Sequence, residues 1–345
     1  GDAAAPVLAV DVPSGVDADA TEPDAASEDA VEAEHVVTFH DLKPALAEHP
    51  DVTVADIGIP VAAAELVGPG DVAVIGEGGS RKGDSGRTFV IGGGPYTGAP
   101  ALAAGASLSA GADLAFVACP ESVFDPIAGY SEDLIVQPYG GDDGTDDPVD
   151  HLAPEHVPDL VETAERHEDT VILGPGLGRH PETESAARQF LAEFSGTAVV
   201  DADALALVPE VDTDADLVLT PNRSELAELG GPDVDDLVAH ADEIRDLADE
   251  LGHTILAKGA VDVITDGETV RRCNAGTPGM TVGGTGDTLA GVVGALLARA
   301  DPFEAACAGS YVNGRAAELL DRGKGLRATE LQETIPDALE GGDDD

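Results

Sequence analysis

The sequence predicts an α/β protein built on a mainly parallel sheet. Three observations carry that prediction. Strand, loop and helix patterns alternate from Thr88 to Leu320, the signature of crossover-connected parallel strands. Six polar or glycine-rich points (Gly92, Gly174, Asp201, Thr220, Lys258 and the Gly283 loop) each follow a predicted strand, and in such sheets ligands gather at the carboxyl ends of strands. Apolar residues make up 43% of the chain but aromatics only 3%, with no Trp, so the core is expected to consist of Ala, Val, Leu and Ile.

Taken in order, Val7–Val10, Val36–Phe39 and Val52–Asp56 are short apolar runs with polar boundaries, read as strands. The stretch Asp17–Glu34 between the first two is acidic and Ala-rich. Gly58 to Gly70 holds two prolines and reads as a domain junction. Thr88–Ile91 is a strand entering Gly92-Gly93-Gly94, and Pro100–Ala110 is a helix of small residues. Leu114–Ala118 and Leu134–Val136 are further strands, followed by the acidic loop Gly140–Asp150. Thr170–Leu173 leads into Gly174-Pro175-Gly176-Leu177-Gly178, and Glu182–Phe194 is helical. Ala198–Val200 ends at Asp201, Leu217–Leu219 at Thr220-Pro221-Asn222, and Thr254–Ala257 at Lys258-Gly259. Val238–Leu251 is an acidic amphipathic helix. Val261–Thr265 and Thr269–Cys273 form a hairpin around Asp266-Gly267. A glycine loop and two helices follow.

The glycine loop, Gly279 to Gly291, is the most informative segment. Gly283, Gly284 and Gly286 lack a Cβ, so backbone N–H groups there can approach an anion. The helix behind them adds the positive end of its dipole. Asp287 repels an anion, so its place here needs a reason. It either caps the helix or takes a proton from a hydroxyl that attacks a phosphoryl group; the glycines favour the second. Gly174–Gly178 is a further candidate phosphate cradle. Tyr96 is a candidate wall for a flat ligand. Asp201 could bind a metal or a ribose, whereas Asp203 reads as a cap. Thr220-Pro221-Asn222-Arg223-Ser224-Glu225 reads first as a strand end with an N-cap, Pro221 early in the turn and Glu225 in the next helix. Asn222 could in addition present its amide to a carboxamide. Lys258 is either a point charge for a phosphate or a surface partner of one of the many acids.

Charge is the unusual compositional feature: 68 acidic residues against 17 basic ones, a formal net charge of −51. The acids are spread along the chain. Their mutual repulsion destabilises a compact state in dilute salt, so a salt-rich cytoplasm, as in an extreme halophile, is the expected setting. Such a surface argues against nucleic acid or an anionic membrane as partner. No apolar run is long enough to span a bilayer. The cysteines 119, 273 and 307 are far apart and show no metal or disulfide spacing. The nine histidines read as solvated. Only four lysines remain (43, 82, 258 and 324), which enriches the first three for function.

The stretches Lys82-Gly83-Asp84-Ser85-Gly86-Arg87, GGGPYTGA at 92–99, GPGLG at 174–178, VVDADAL at 199–205, LTPN at 219–222, AKGAVD at 257–262 and NAGTPGMTVGGTGDTLAG at 274–291 resemble the NAD(P)H-hydrate dehydratase family. The resemblance implies a ribokinase-like three-layer sandwich over residues 65–340. Residues 1–64 resemble the end of NAD(P)H-hydrate epimerase, through LAVDVPSGVDADAT at 8–21, VTFHDLKPAL at 37–46 and VADIGIP at 54–60, and so imply the remnant of a Rossmann-like α/β domain. The chain reads as a fragment lacking the first part of that domain.

For the dehydratase, the resemblance implies phosphorylation of the C6 hydroxyl of NADH hydrate or NADPH hydrate from ADP or ATP, with Mg2+, and elimination of phosphate. Asp287 would be the base. Lys258, Gly259, Ala260, Val261 and Asp262, with Gly283, Gly284, Thr285 and Gly286, would hold the nucleotide. Ala99, Gly176, Gly178, Asn222 and Asp287 would meet the hydrate. Asp11 would be a substrate contact and Ser14 a potassium contact of the epimerase part. The family often has His at the position of Asn222 and Thr at that of Asp262. A homo-oligomer is expected. The rival readings are a small-molecule kinase of the same fold and a non-catalytic nucleotide-binding protein.

The charge distribution predicts that thermal stability rises with KCl between dilute buffer and about 1 M salt, where the Debye length falls to about 3 Å. A melting temperature independent of salt would refute the inference of salt adaptation.

Overall fold

A computed structural model of the chain describes residues 6–16, 18, 30–40, 42–47, 49–75, 85–140 and 149–341. Lys82, Gly83 and Asp84, much of the acidic 17–34 stretch and most of the 140–150 loop lie outside the described residues. The chain divides into two compact units, Gly1–Glu65 and Leu66–Asp345.

The first unit holds three parallel strands in the order β1 (Leu8–Val10), β2 (His35–Phe39) and β3 (Val52–Ala55). Its buried core is small: Ala9, Val36 and Leu46. Helix α1 (Val61–Ala64) ends the unit.

The second unit is a three-layer sandwich. After α2 (Pro69–Val74) it contributes β4 (Arg87–Ile91), α3 (Gly98–Ser109), β5 (Leu114–Pro120), α4 (Phe124–Ala128), β6 (Ile135–Tyr139), α5 (Val157–Arg166), β7 (Thr170–Leu173), α6 (Pro181–Glu193), β8 (Thr197–Val200) and β9 (Asp216–Leu219). Then come α7 (Arg223–Glu228), α8 (Ala241–Leu251), β10 (Thr254–Ala257), β11 (Asp262–Thr265), β12 (Val270–Cys273), α9 (Thr285–Leu297), α10 (Pro302–Leu320) and α11 (Ala328–Leu339). The nine strands lie in the order β12-β11-β10-β9-β8-β7-β4-β5-β6. From β10 to β6 every neighbouring pair is parallel, while β11 pairs antiparallel with β10 and with β12. Strand, glycine-loop and hairpin positions thus follow the sequence reading. Helices α2, α4, α5 and α11 go beyond it; Pro158 sits in the first turn of α5, where proline is tolerated, and Pro336 lies inside α11.

Strand residues alternate between two cores, because successive side chains point to opposite faces. Val90, Ile172, Val199, Val218, Leu256 and Ile264 join one face with α3, α9, α10 and α11. Phe89, Val171, Leu173, Val200, Leu219 and Ile255 join the other with α5, α6 and α8. Both faces of the sheet are covered, so the strands read as nearly continuous apolar runs. Helix α9 is buried along almost its whole length, which its run of Leu, Ala, Val and Gly permits.

Helices α3 and α9 approach very closely. A Cβ on Gly291 would lie 2.1 Å from the carbonyl oxygen of Ala103. Gly291→Ala is therefore expected to cost roughly 1–3 kcal/mol by overpacking, read as a lower urea midpoint. Gly98→Ala, which meets open space, serves as the neutral control; equal effects would contradict this packing.

Candidate active site

Backbone hydrogen bonds continue past the ends of the parallel strands and align the residues that follow. Gly92 N–H donates to Ala118, Gly174 to Ile91, Asp201 to Leu173 and Thr220 to Val200, at 3.0–3.2 Å. This register brings Gly92, Gly174, Asp201, Thr220 and Lys258 to one edge of the sheet. The Gly283 loop differs from the expectation: a 3-10 turn, Pro278–Thr281, intervenes between β12 and the loop.

At the centre of that edge, Lys258 Nζ lies 2.9 Å from Asp201 Oδ1 and 3.9 Å from Glu225 Oε2. Thr220 Oγ1 donates to the same Asp201 oxygen at 2.8 Å. The Lys258 backbone N–H donates to the Pro221 carbonyl at 2.8 Å, tying β10 to the loop after β9. Burial pulls the lysine pKa down, but Asp201 and Glu225 outweigh it and hold the ammonium above its ordinary value. Burial pushes Glu225 up.

Asp287 stands in the first turn of α9, whose N-cap is Gly284 with φ 97° and no side-chain cap bond. Of the two roles the sequence left open, capping is not the one Asp287 performs. A side chain on Gly284 would collide with Leu102 and Ala328, at 2.7 and 2.8 Å, so the left-handed turn and the close packing both require glycine. Asp287 is half-buried, and its pKa rises from 3.8 to about 7. Burial is the largest cause; Asp201 and Glu225 push the same way, while Lys258 opposes. A carboxyl group poised near neutrality is suited to general-base work.

Beside Lys258 opens a cavity of about 430 Å3, within the range of small-molecule sites. Lys258, Gly259, Ala260, Asp262, Thr285 and Gly286 line it, whereas Val261, Gly283 and Gly284 do not. Asp262 is anchored at both oxygens. It accepts the Gly259 N–H at 2.9 Å and the Ser310 hydroxyl at 2.7 Å, and burial pushes its pKa up.

The glycines of the 174–178 loop serve packing. Side chains at Gly176 and Gly178 would meet the Tyr96 carbonyl at 2.3 Å and Pro95 at 2.6 Å, so this loop interlocks with 92–98. Ala99 is the second residue of α3, which starts at this junction. Asp203 is not the expected cap. Its carboxylate accepts the Gly178 N–H at 3.1 Å and pairs with Arg179. The N-cap expected in this segment is Asn222: its Oδ1 accepts from Ser224 and Glu225 N–H, and Glu225 accepts the Asn222 N–H in return. That reciprocal cap turns the Glu225 carboxylate toward Lys258. Sequence reasoning treated Glu225 only as a helix residue; the Asn-x-x-Glu spacing was the available signal.

The histidines are not uniformly solvated. His156 and His253 are half-buried and shifted down by desolvation, and His151 is bonded to two carboxylates. In the first unit, Asp11 (φ 70°) accepts the Thr38 hydroxyl at 3.2 Å and lies 4.0 Å from Lys43 Nζ, while Ser14 is exposed. Among the described residues, no helix is long and apolar enough to cross a membrane.

The architecture is that of the ribokinase-like enzymes. A ribokinase-like superfamily protein from Enterococcus faecalis superposes with a TM-score of 0.68 at 22% identity, over 81% of this chain and 96% of that one. The ADP/ATP-dependent NAD(P)H-hydrate dehydratase of Bacillus subtilis superposes with a TM-score of 0.64 at 23% identity, over 80% and 98%. The NAD(P)H-hydrate dehydratase family model matches residues 88–337, and that of the YjeF-related protein N-terminus matches residues 2–45. The chain belongs to the NAD(P)H-hydrate dehydratase family, a family of lyases. It is 39% identical over 341 residues to the bifunctional NAD(P)H-hydrate repair enzyme Nnr of Archaeoglobus fulgidus, covering 96% of this chain and 68% of that protein. It is 36% identical over 262 residues to the ADP-dependent (S)-NAD(P)H-hydrate dehydratase of Natrialba magadii, covering 74% and 93%. The chain thus spans about two-thirds of the length of the bifunctional relative.

The raised pKa of Asp287 has a consequence for stability. The folded protein holds that proton more tightly than the unfolded chain, so stability falls as pH rises from about 4 to about 7 and the full penalty stands above pH 7. Asp287→Asn is expected to raise the melting temperature of the ligand-free protein at pH 8 and to leave it nearly unchanged at pH 4. An equal shift at both pH values would contradict the assigned ionisation.

Proposed function

We propose that this chain returns the S form of NADH hydrate and NADPH hydrate to NADH and NADPH at the expense of ADP or ATP. The observation that carries this reading is Asp287: a half-buried carboxyl group with pKa near 7, in the first turn of a helix opened by a glycine loop and within electrostatic reach of Lys258.

In this reading Asp287 takes the proton of the C6 hydroxyl as that oxygen attacks the terminal phosphoryl group. Phosphate then leaves from C6, the neighbouring C5 gives up a proton to solvent, and the electron pair of that C–H bond restores the ring double bond. Backbone N–H groups of Gly283, Gly284, Thr285 and Gly286, with the α9 dipole, receive the transferring phosphoryl group. Lys258 neutralises developing charge; a Cβ on Gly286 would lie 3.2 Å from its Nζ, so the ammonium stands close against the glycine loop. The cavity lined by Gly259, Ala260 and Asp262 takes the AMP part of the nucleotide. Ala99, Gly176, Gly178 and Asn222 face the hydrate. Because Asn222 Oδ1 already accepts two N–H groups, its amide is left as a donor.

Mg2+ suits this site. Asp201 and Glu225, both facing Lys258, are hard oxygen donors of the kind that ion prefers, and they would hold it alongside the nucleotide phosphates. The ion supplies charge neutralisation to the phosphates when bound. The first unit contributes Asp11 and Ser14 at positions matching the epimerase. Two side chains do not build a potassium cage, so we assign that unit no reaction.

The test is incubation of the full chain in concentrated KCl with Mg2+, ADP or ATP, and NADH hydrate, following the return of dihydronicotinamide absorbance. Wild-type protein is expected to restore it, and Asp287→Asn to lower kcat by about 10²–10⁴ with nucleotide still bound. Release of a phosphorylated compound without restored absorbance would replace this reading with that of a small-molecule kinase.

A further inference from the structure

On the side of the second unit that carries α5 and α6, His151, His180 and Glu182 each offer a ligand atom, and these atoms all lie within 4.8 Å of one another. We propose that these three side chains bind a divalent d-block cation such as Zn2+, with Asp150 orienting His151. This site is separate from the Asp287 machinery and does not depend on the hydrate reading.

The geometry has the form of a metal centre. His151 Nδ1 stands 2.6 Å from Asp150 Oδ1, and its Nε2 stands 2.8 Å from Glu182 Oε2. The first contact is the carboxylate–imidazole pairing that fixes tautomer and ring orientation behind a metal-bound histidine. The second places a carboxylate oxygen and a ring nitrogen together as a ligand pair. The His180 ring lies 4.1 Å from that of His151, centroid to centroid. Donors around a tetrahedral ion at 2.0–2.1 Å stand roughly 3.3 Å apart. Around an ion the His151–Glu182 pair, now at 2.8 Å, would open slightly, while the donors of the wider pairs, all within 4.8 Å, would draw together through side-chain rotation at the surface. The His180 Nδ1 contact with the Glu182 N–H, at 3.3 Å, is long, and ligation through Nε2 exchanges it for a protonated Nδ1.

Charge fits as well. With neutral imidazoles, Asp150 and Glu182 balance one dication. The α6 dipole opposes a cation at its N-terminus, but Glu182 and Glu184 occupy that first turn. Two imidazoles in a set of three select a borderline ion over Mg2+ or Ca2+, and the fourth position is left for water. His151 belongs to the segment leading into α5, and His180 follows Gly178 by two residues. The ion would thus staple the approach to α5 to the loop that interlocks with residues 92–98.

Titration of the full chain with Co2+ at fixed high ionic strength tests this, because imidazole-bound tetrahedral cobalt absorbs visible light. One equivalent is expected to give ligand-field bands that Zn2+ abolishes and excess Mg2+ does not. His151→Ala, His180→Ala and Glu182→Gln should each remove them. Asp150→Asn should weaken binding by about 10–100-fold. Asp246→Asn, on α8, is the control and should change nothing. Cobalt uptake without such bands, or bands that persist in the folded His151→Ala and Glu182→Gln variants, would overturn the site and assign the uptake to the acidic surface at large.

Discussion

Lys258 is the cation on which the carboxyl edge of the large sheet depends. In a chain with 68 acidic and 17 basic residues, three carboxylates from separate segments act on this one ammonium: Asp201 after β8, Glu225 on α7 and Asp287 on α9. Without it, three like charges would share a partly desolvated space. With it, Asp201 is ion-paired at 2.9 Å, while Asp287 is left under-compensated. That imbalance, added to burial, lifts Asp287 to about 7. The difference between the paired Asp201 and the raised Asp287 follows from where the Lys258 ammonium sits.

The surrounding architecture makes such a balance possible. A parallel sheet covered on both faces fixes its strand ends to within hydrogen-bonding tolerance, and helix α9 enters along a groove of small residues on α3. Both constraints are rigid because interiors pack densely. A preorganised array of N–H groups and one ammonium needs little reorganisation when charge develops on a phosphoryl group. The same rigidity explains why glycines are placed where two backbones cross, as at Gly176 against Tyr96, and why the loops 92–98 and 174–178 form one interlocked unit.

Much of this could be read from the sequence, for identifiable reasons. Parallel strands buried on both faces give unbroken apolar runs, so β4, β7, β8, β9 and β10 were visible with their polar ends. The GGTGD segment announced a helix N-terminus because glycines and an acid rarely precede an apolar helix without cause. What the sequence could not disclose was pairing in space. Asp203 looked like a local cap, yet it reaches 25 residues back to the Gly178 N–H. Glu225 looked like an ordinary helix residue, yet its cap bond to Asn222 aims it at Lys258. The association of His151 with Glu182 depends on how α5 and α6 pack, which no local pattern encodes.

The two departures from the family pattern acquire physical meaning from these contacts. Asn222 is committed to the α7 cap through its oxygen, so it can offer a ligand only its amide hydrogens; a proton-transfer role of the histidine type is closed to it. An ionised Asp262 would place a further negative charge beside the cavity next to Lys258, at odds with the phosphate binding proposed there. Its two oxygens are instead occupied by the Gly259 N–H and the Ser310 hydroxyl, and burial favours its protonated form. The carboxyl group is thereby spent on fixing the turn that carries Lys258. In so acidic a chain, an aspartate at this position acts as a structural hydrogen-bond acceptor, and Lys258 beside the turn pairs with Asp201 instead.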